Sequence, residues 1–274
     1  MPALRRNANN NKFLTPMLES FASLPLWATL VVTLLIVLIA IEFGYRAGMI
    51  RQGSARHEKE AAVGVMVGAT LGLLAFLLAF TFGFAANLFQ AKRDIVLEES
   101  NAIGTAYLRA DLLPESHTAD VRALFREYVD VRLAAAETGA IVETIRRSEE
   151  LQVQLWAHAV ASMRERPDSL AVGLFVQALN AVIDVHSKRV MVGVRGRIPG
   201  TIWVALYAVA FFSLGTMGYQ GGLAGTSRSF AIIAVAITFT AVIGLILDLD
   251  RPQEGTLRVS QQSMIDLRNS MTGP

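Results

Sequence analysis

Residues 61–91, AAVGVMVGATLGLLAFLLAFTFGFAANLFQA, carry no charged side chain, and the residues that follow, KRDIVLEESNAIGTAYLRADLL, run on to Leu113 without a Pro or a Gly cluster. An uncharged apolar run of this length suffices to cross a bilayer as a helix. The continuation repeats its apolar residues at helical spacing and stops before Pro114, where a helix is expected to end. The reading is one helix over 61–113 that leaves the membrane and carries on into water.

Two stripes run along this helix when its residues are spaced at about 100°. The first is small: Ala61, Gly64, Gly68, Gly72, Ala75, Ala79, Gly83 and Ala86. Missing side chains let helix backbones approach closely, as in GxxxG contacts, so this stripe predicts a helix-packing interface. Packing within one subunit and packing between subunits fit it equally. About a quarter turn away lie Phe76, Phe80 and Phe84, then Asn87, Ala91, Asp94, Glu98, Asn101, Thr105 and Arg109. Three aromatics at this spacing also suit lipid or core, and the polar half also suits the wet side of an amphipathic helix. A face that is aromatic in the membrane and hydrated beyond it suits a channel with an apolar constriction above a polar vestibule. Rings of large apolar side chains can gate by dewetting, and charged rings bias which ions collect.

Outward from this helix, the chain is 53% hydrophobic with a mean hydropathy of +0.43, and the excess sits in a few long blocks. With no Cys, disulfides and thiolate chemistry are excluded. The net charge of +2 comes without a basic run interleaved with aromatics, which argues against a nucleic-acid partner. Further spans are expected over 24–43, 201–219 and 230–247, and Glu42 with Arg46 makes an i,i+4 pair at the end of the first. Residues 44–60 read as a short basic connection. Helices are expected near 118–136, 144–165 and 169–194, broken at Gly139 and at Pro167, with an N-cap at Asp168-Ser169.

The expected fold is an all-α membrane protein with four transmembrane helices and a cytoplasmic helical domain inserted between the second and third. The layout is an N-terminal segment 1–23, transmembrane helices 1 and 2 in 24–91, and the helical domain 92–199. Transmembrane helices 3 and 4 follow in 200–248, then a tail 249–274. The side holding both termini and the insertion carries the larger share of Lys and Arg near the spans, which places it in the cytoplasm.

Signals for an enzyme are missing. His57, His117 and His158 are scattered without ligand spacing, no Ser sits in a nucleophile elbow, and no phosphate-binding Gly loop follows a strand. No cofactor is expected. Asp248, Asp250 and Glu254 offer oxygens for a hard cation, but three acids with Arg251 among them suit an interfacial cap better. Asn180, Asp184 and Lys188 share a helical face and suit a ladder between the insertion's helices.

The segment Phe76–Arg93 resembles the neck of bestrophins, pentameric ion channels that are mainly anion-selective, with cation-selective members in bacteria. It has an apolar residue four before Phe80, then Phe80-x-x-Gly83-Phe84, then a basic pair. The strings ESNAIGTAYLRADLLPE (99–115) and LDLDRPQEG (247–255) resemble the bacterial bestrophin-like family, with Gln253 and Glu254 departing from its usual pattern. The aromatic-rich signature of bestrophins near the first span is missing. The resemblance implies a homo-oligomer, a pentamer, in the bacterial inner membrane, passing inorganic ions. Phe76, Phe80 and Phe84 would form the pore neck, and Asn87, Asp94, Glu98, Asn101, Thr105 and Arg109 the lining below it. The alternative is a non-conducting membrane scaffold or sensor whose cytoplasmic helices bind a partner.

Overall fold

The computed structural model describes residues 24–52, 60–226, 230–251 and 255–272. The expected N-terminal segment, residues 53–59 of the 44–60 connection with His57, Arg228 and Glu254 lie outside the described residues. The described residues are helical throughout, without strands. In chain order they form α1 (Leu26–Gln52), α2 (Glu60–Arg109), α3 (Glu115–Thr138), α4 (Ile141–Glu165) and α5 (Leu170–Val190). These are followed by α6 (Gly200–Leu223), α7 (Phe230–Asp250) and α8 (Gln262–Thr272).

Their boundaries follow local chemistry. α2 tightens into a 3₁₀ turn at Ala110–Leu112 and is stopped by Pro114. Gly139 ends α3 in the left-handed region at φ 70°, the conformation that favours glycine in a C-terminal cap. Ser169 caps α5 by accepting a hydrogen bond from the Val172 amide at 3.3 Å. α5 then closes in a π-helical turn, Met191–Arg195.

One compact unit combines the described residues up to Asn87 with Arg197–Leu257. Here the structure differs from the sequence reading: α1 does not stop near residue 43 but runs to Gln52. Gly44 and Gly48 are what make the extension useful. A Cβ on Gly44 would run into the carbonyl oxygen of Gly215, and one on Gly48 into that of Tyr219. From the other side, a Cβ on Gly218 would strike the Ile41 carbonyl and one on Gly222 the Tyr45 carbonyl. α1 and α6 therefore touch backbone to backbone along two turns, the close approach that small residues permit. The Thr33 and Tyr207 hydroxyls, 2.7 Å apart, and the Tyr45 hydroxyl, which donates to the Thr226 carbonyl at 2.9 Å, fasten the two ends of the seam. α2 joins through Ser213, whose hydroxyl donates to the Thr70 carbonyl at 3.0 Å, with Val67, Leu74, Leu78, Thr81 and Ala85 buried.

The second unit comprises Leu88–Gly196 with the chain from Arg258 onward. Its core gathers Ile103 and Tyr107 of α2, Phe125, Tyr128 and Val129 of α3, Leu151 and Leu155 of α4, and Val172, Phe175 and Leu179 of α5. α8 completes it with Met264 and Met271. The Met271 carbonyl accepts from Tyr107 Oη and Arg126 Nε, each at 3.2 Å.

Among the described residues, five helices are long and apolar enough to cross a membrane. Four are those expected; the fifth, Leu170–Gly193, covers α5. Length and composition alone do not separate it from the others.

Candidate functional site

α2 is one unbroken helix of 50 residues, and its period sorts the two stripes. On the aromatic-to-polar stripe, Phe76 is 65% exposed and Phe80 61% exposed in the single chain, with Phe84 half-buried. Asn87, Ala91, Asp94, Glu98, Asn101 and Thr105 are exposed as well. The chain leaves this face open from the apolar turns to the polar ones.

Several polar members of the stripe have partners. Asp94 accepts from Gln90 Nε2 at 2.7 Å, and Glu98 pairs with Lys188 Nζ at 2.7 Å. Arg109 is half-buried and donates to the Leu174 carbonyl at 2.8 Å. Lys188 thus meets α2, not its neighbour Asp184, which remains exposed. Glu98, Ala181, Asp184, Val185 and Lys188 line a shallow open depression.

The small-residue stripe behaves differently along its length. A Cβ on Gly64 would reach the side-chain amide of Gln220 at 2.9 Å. Gly68, Gly72 and Gly83 have nothing from the rest of the described chain within 4 Å, and Ala75 and Ala79 are exposed.

Glu99 is the next residue after Glu98, and the rotation of about 100° between neighbours on a helix takes it from the exposed side of α2 to the buried one. It is fully buried between Arg132 of α3, whose Nε lies 3.0 Å from Oε1, and Arg189 of α5, which donates to Oε2. Arg189 also donates to Gln261 Oε1 at 3.2 Å. Beside this knot, Gln152 Nε2 donates to the Tyr128 oxygen at 3.2 Å, and Tyr128 lies 3.2 Å from His186 Nδ1. With its oxygen accepting from Gln152, Tyr128 can give its own proton to Nδ1, which puts the proton of a neutral His186 on Nε2. That atom is buried without a hydrogen-bond partner among the described residues.

Two guanidiniums against one carboxylate leave a surplus of positive charge inside the domain, which acts with burial on His186 and against it on Tyr128. Burial, then the charge of Arg132, pulls His186 down to about 4, against the opposing pull of Glu99. Burial, then the Glu99 charge, pushes the Tyr128 phenol up to about 12. His186 is neutral over the physiological range. The sequence reading points to none of these residues as a site. The signal that could have found Glu99 is its place on the apolar side of α2, in line with Ile95, Ile103 and Ala106.

The acids at the end of α7 are taken up by neighbouring donors, mostly backbone amides, with the Thr256 hydroxyl donating to Asp248 Oδ2. Asp248 Oδ1 accepts from the amides of Thr256 at 2.8 Å and Leu257 at 3.4 Å, and Asp250 Oδ1 accepts from the Ile198 amide at 2.8 Å. Arg251 donates to the Leu24 carbonyl at 2.7 Å. Among the described residues no group of three or more His, Asp or Glu side chains is arranged to hold a metal.

His117 and His158, scattered in sequence, do meet. Their Nδ1 atoms are 3.2 Å apart with the rings edge to face, and Glu165 Oε2 lies 3.6 Å from His117 Nε2.

The chain resembles known proteins in two ways. Its fold is similar to that in the crystal structure of a mutant bacterial bestrophin homologue from Klebsiella pneumoniae. The TM-score is 0.63 at 16% identity, over 91% of this chain and 99% of that one; likeness at that identity is one of fold. No curated protein matches the sequence. The family model of the Bestrophin-like domain matches residues 34–264, most of the sequence, and with its long apolar helices the chain is a membrane protein of the bestrophin-like family.

Proposed function

We propose that this protein is a homo-oligomeric ion channel, a pentamer, whose central pathway is lined by α2. The observation that carries the reading is the open face of that helix. Phe76 and Phe80 project more than 60% exposed from the single chain, on the same stripe as exposed Asn87, Asp94, Glu98, Asn101 and Thr105. Burying large aromatics is worth about 1.5–3 kcal/mol each in water, so a chain that leaves them out presents them to lipid, to another copy or to a pore. Their continuation into a polar stripe on one helix favours the last.

In this reading Phe76, Phe80 and Phe84 ring the constriction and pass ions when it is wetted. Asn87, Asp94, Glu98, Asn101, Thr105 and Arg109 face the wider polar part. The uncovered Gly68, Gly72, Ala75, Ala79 and Gly83, about a quarter turn away, pack against the α2 helix of a neighbouring copy. α5 belongs to the helical domain and not to the membrane, because its apolar side fills a core with α3 and α4. That leaves α1, α2, α6 and α7 as the four spans. The domain and both termini lie in the cytoplasm, on the side richer in Lys and Arg. Flow is passive, with no bond made or broken.

The experiment is single-channel recording from reconstituted bilayers. Replacing Phe76, Phe80 and Phe84 together by Ala widens and hydrates the neck, so conductance rises. Silent membranes for wild type and triple variant alike would sink the channel reading. A particle image without an axial hole would do the same.

A further inference from the structure

We propose that His117 and His158 form a binding site for a divalent transition-metal ion of the zinc or copper type, with Glu165 supporting it from outside. His117 stands in the first turn of α3 and His158 in the penultimate stretch of α4, and the two helices bring their Nδ1 atoms to 3.2 Å. Metal–imidazole bonds of about 2.0–2.1 Å to both atoms would subtend about 100° at an ion, near the tetrahedral angle. Imidazole nitrogens suit zinc, nickel and copper and are poor ligands for calcium or magnesium.

The tautomers favour the same outcome. Glu165 Oε2 lies 3.6 Å from His117 Nε2, and the carboxylate is held in place by the Ser116 hydroxyl, which donates to Oε2 at 3.2 Å. A carboxylate there draws the His117 proton to Nε2 and leaves a lone pair on Nδ1, facing His158. This is the carboxylate–histidine–metal arrangement that orients a ligand and raises its basicity. His158 then chooses between two states. It donates its Nδ1 proton to His117, or it shifts that proton to Nε2 and presents a second lone pair to an ion. Water fills the remaining positions, since both rings are only half-buried. The bland alternative is a histidine–histidine hydrogen bond that fastens α3 to α4 and binds nothing.

The test is calorimetric titration of the untagged, detergent-purified full chain with zinc chloride and with copper(II) chloride near pH 7.5. The expected result is one ion per chain, bound more tightly as copper than as zinc. His117→Gln and His158→Gln each abolish it, and Glu165→Gln weakens it about 10–100-fold. His57→Gln leaves it unchanged. Acidification releases the ion, because a protonated imidazole has no lone pair to give. Copper electron paramagnetic resonance, which reads the ligands directly, should show two nitrogen donors in the wild type and no such bound-copper signal in either His variant. Absence of binding, or binding that survives in both His variants while far-ultraviolet circular dichroism shows them folded, overturns the proposal. None of these readouts depends on conduction.

Discussion

Two sets of glycines in this protein look alike in sequence and do opposite things. Along α1 and α6, Gly44, Gly48, Gly218 and Gly222 each lie against a carbonyl of the other helix, so the seam is closed within the chain. Along α2, Gly68, Gly72 and Gly83 stand in open space. Periodic small residues therefore mark where a backbone can come close. They do not say whose backbone comes. The partner is set by the rest of the chain's packing, or by another copy of it.

Substitutions can break this comparison. The largest effect is expected at the closed seam. Gly218→Leu would drive a side chain into the Ile41 backbone, and since backbone cannot step aside as a side chain can, the cost should exceed the usual 1–3 kcal/mol of overpacking. Thermal unfolding in detergent should show loss of the folded chain; a wild-type melting curve would refute the seam.

The next effect belongs to the charged knot, where burial is as tight as in the glycine seam but rests on ions. Glu99→Gln leaves Arg132 and Arg189 without their counter-charge, a change that costs about 3–5 kcal/mol in buried pairs. Glu99→Leu with Arg132→Leu and Arg189→Leu together should cost less than Glu99→Gln alone, measured by chemical denaturation, because no unpaired charge is left inside.

A pH dependence follows from the same knot. His186 is held at about 4 in the folded protein against about 6.5 unfolded, so between those values the unfolded chain binds the extra proton. Stability is then fully present above about pH 6.5 and falls as the pH is lowered toward 4, by about 2–3 kcal/mol at most. Melting curves from pH 7.5 to 4.5 should show the fall, and His186→Phe should flatten it. The smallest effect on the fold is expected at the open stripe. Gly72→Leu should shift the unfolding of the single chain by less than about 0.5 kcal/mol, yet change the elution volume of the assembled protein. A Gly72→Leu chain as unstable as Gly218→Leu would erase the distinction between the two glycine sets.

Much of this could be read from the residues. The uncharged run before Lys92, the stop at Pro114, the caps at Gly139 and Ser169 and the Arg46–Glu42 pair at 2.6 Å all act over a few residues, and local signals survive in a sequence. The rest depends on pairings across the chain. From sequence Gly44 and Gly48 read as the start of a connection, because nothing near them says that Gly215 and Gly218 wait on the other side. Glu99 sits next to Glu98 and looks equally wet; only the turn of the helix separates a buried ion from an exposed one. The tail, marked from sequence only as the stretch 249–274, brings Met264 and Met271 to a core begun at Ile103. The aromatic-to-polar face is different again: its exposure is plain in one chain, while the pore proposed for it would be a property of several copies.

The place of α8 has a consequence for the order in which the protein is made. Synthesis runs from the N-terminus, and domains tend to fold as they emerge. The helical unit cannot complete its core in this way, because the methionines that finish it and the Met271 carbonyl that Tyr107 and Arg126 hold arrive after α6 and α7. Until both late helices have left the ribosome, α3, α4 and α5 must wait with one side of their core uncovered. α8 thus takes its place in the core only in a copy whose α6 and α7 have already been made.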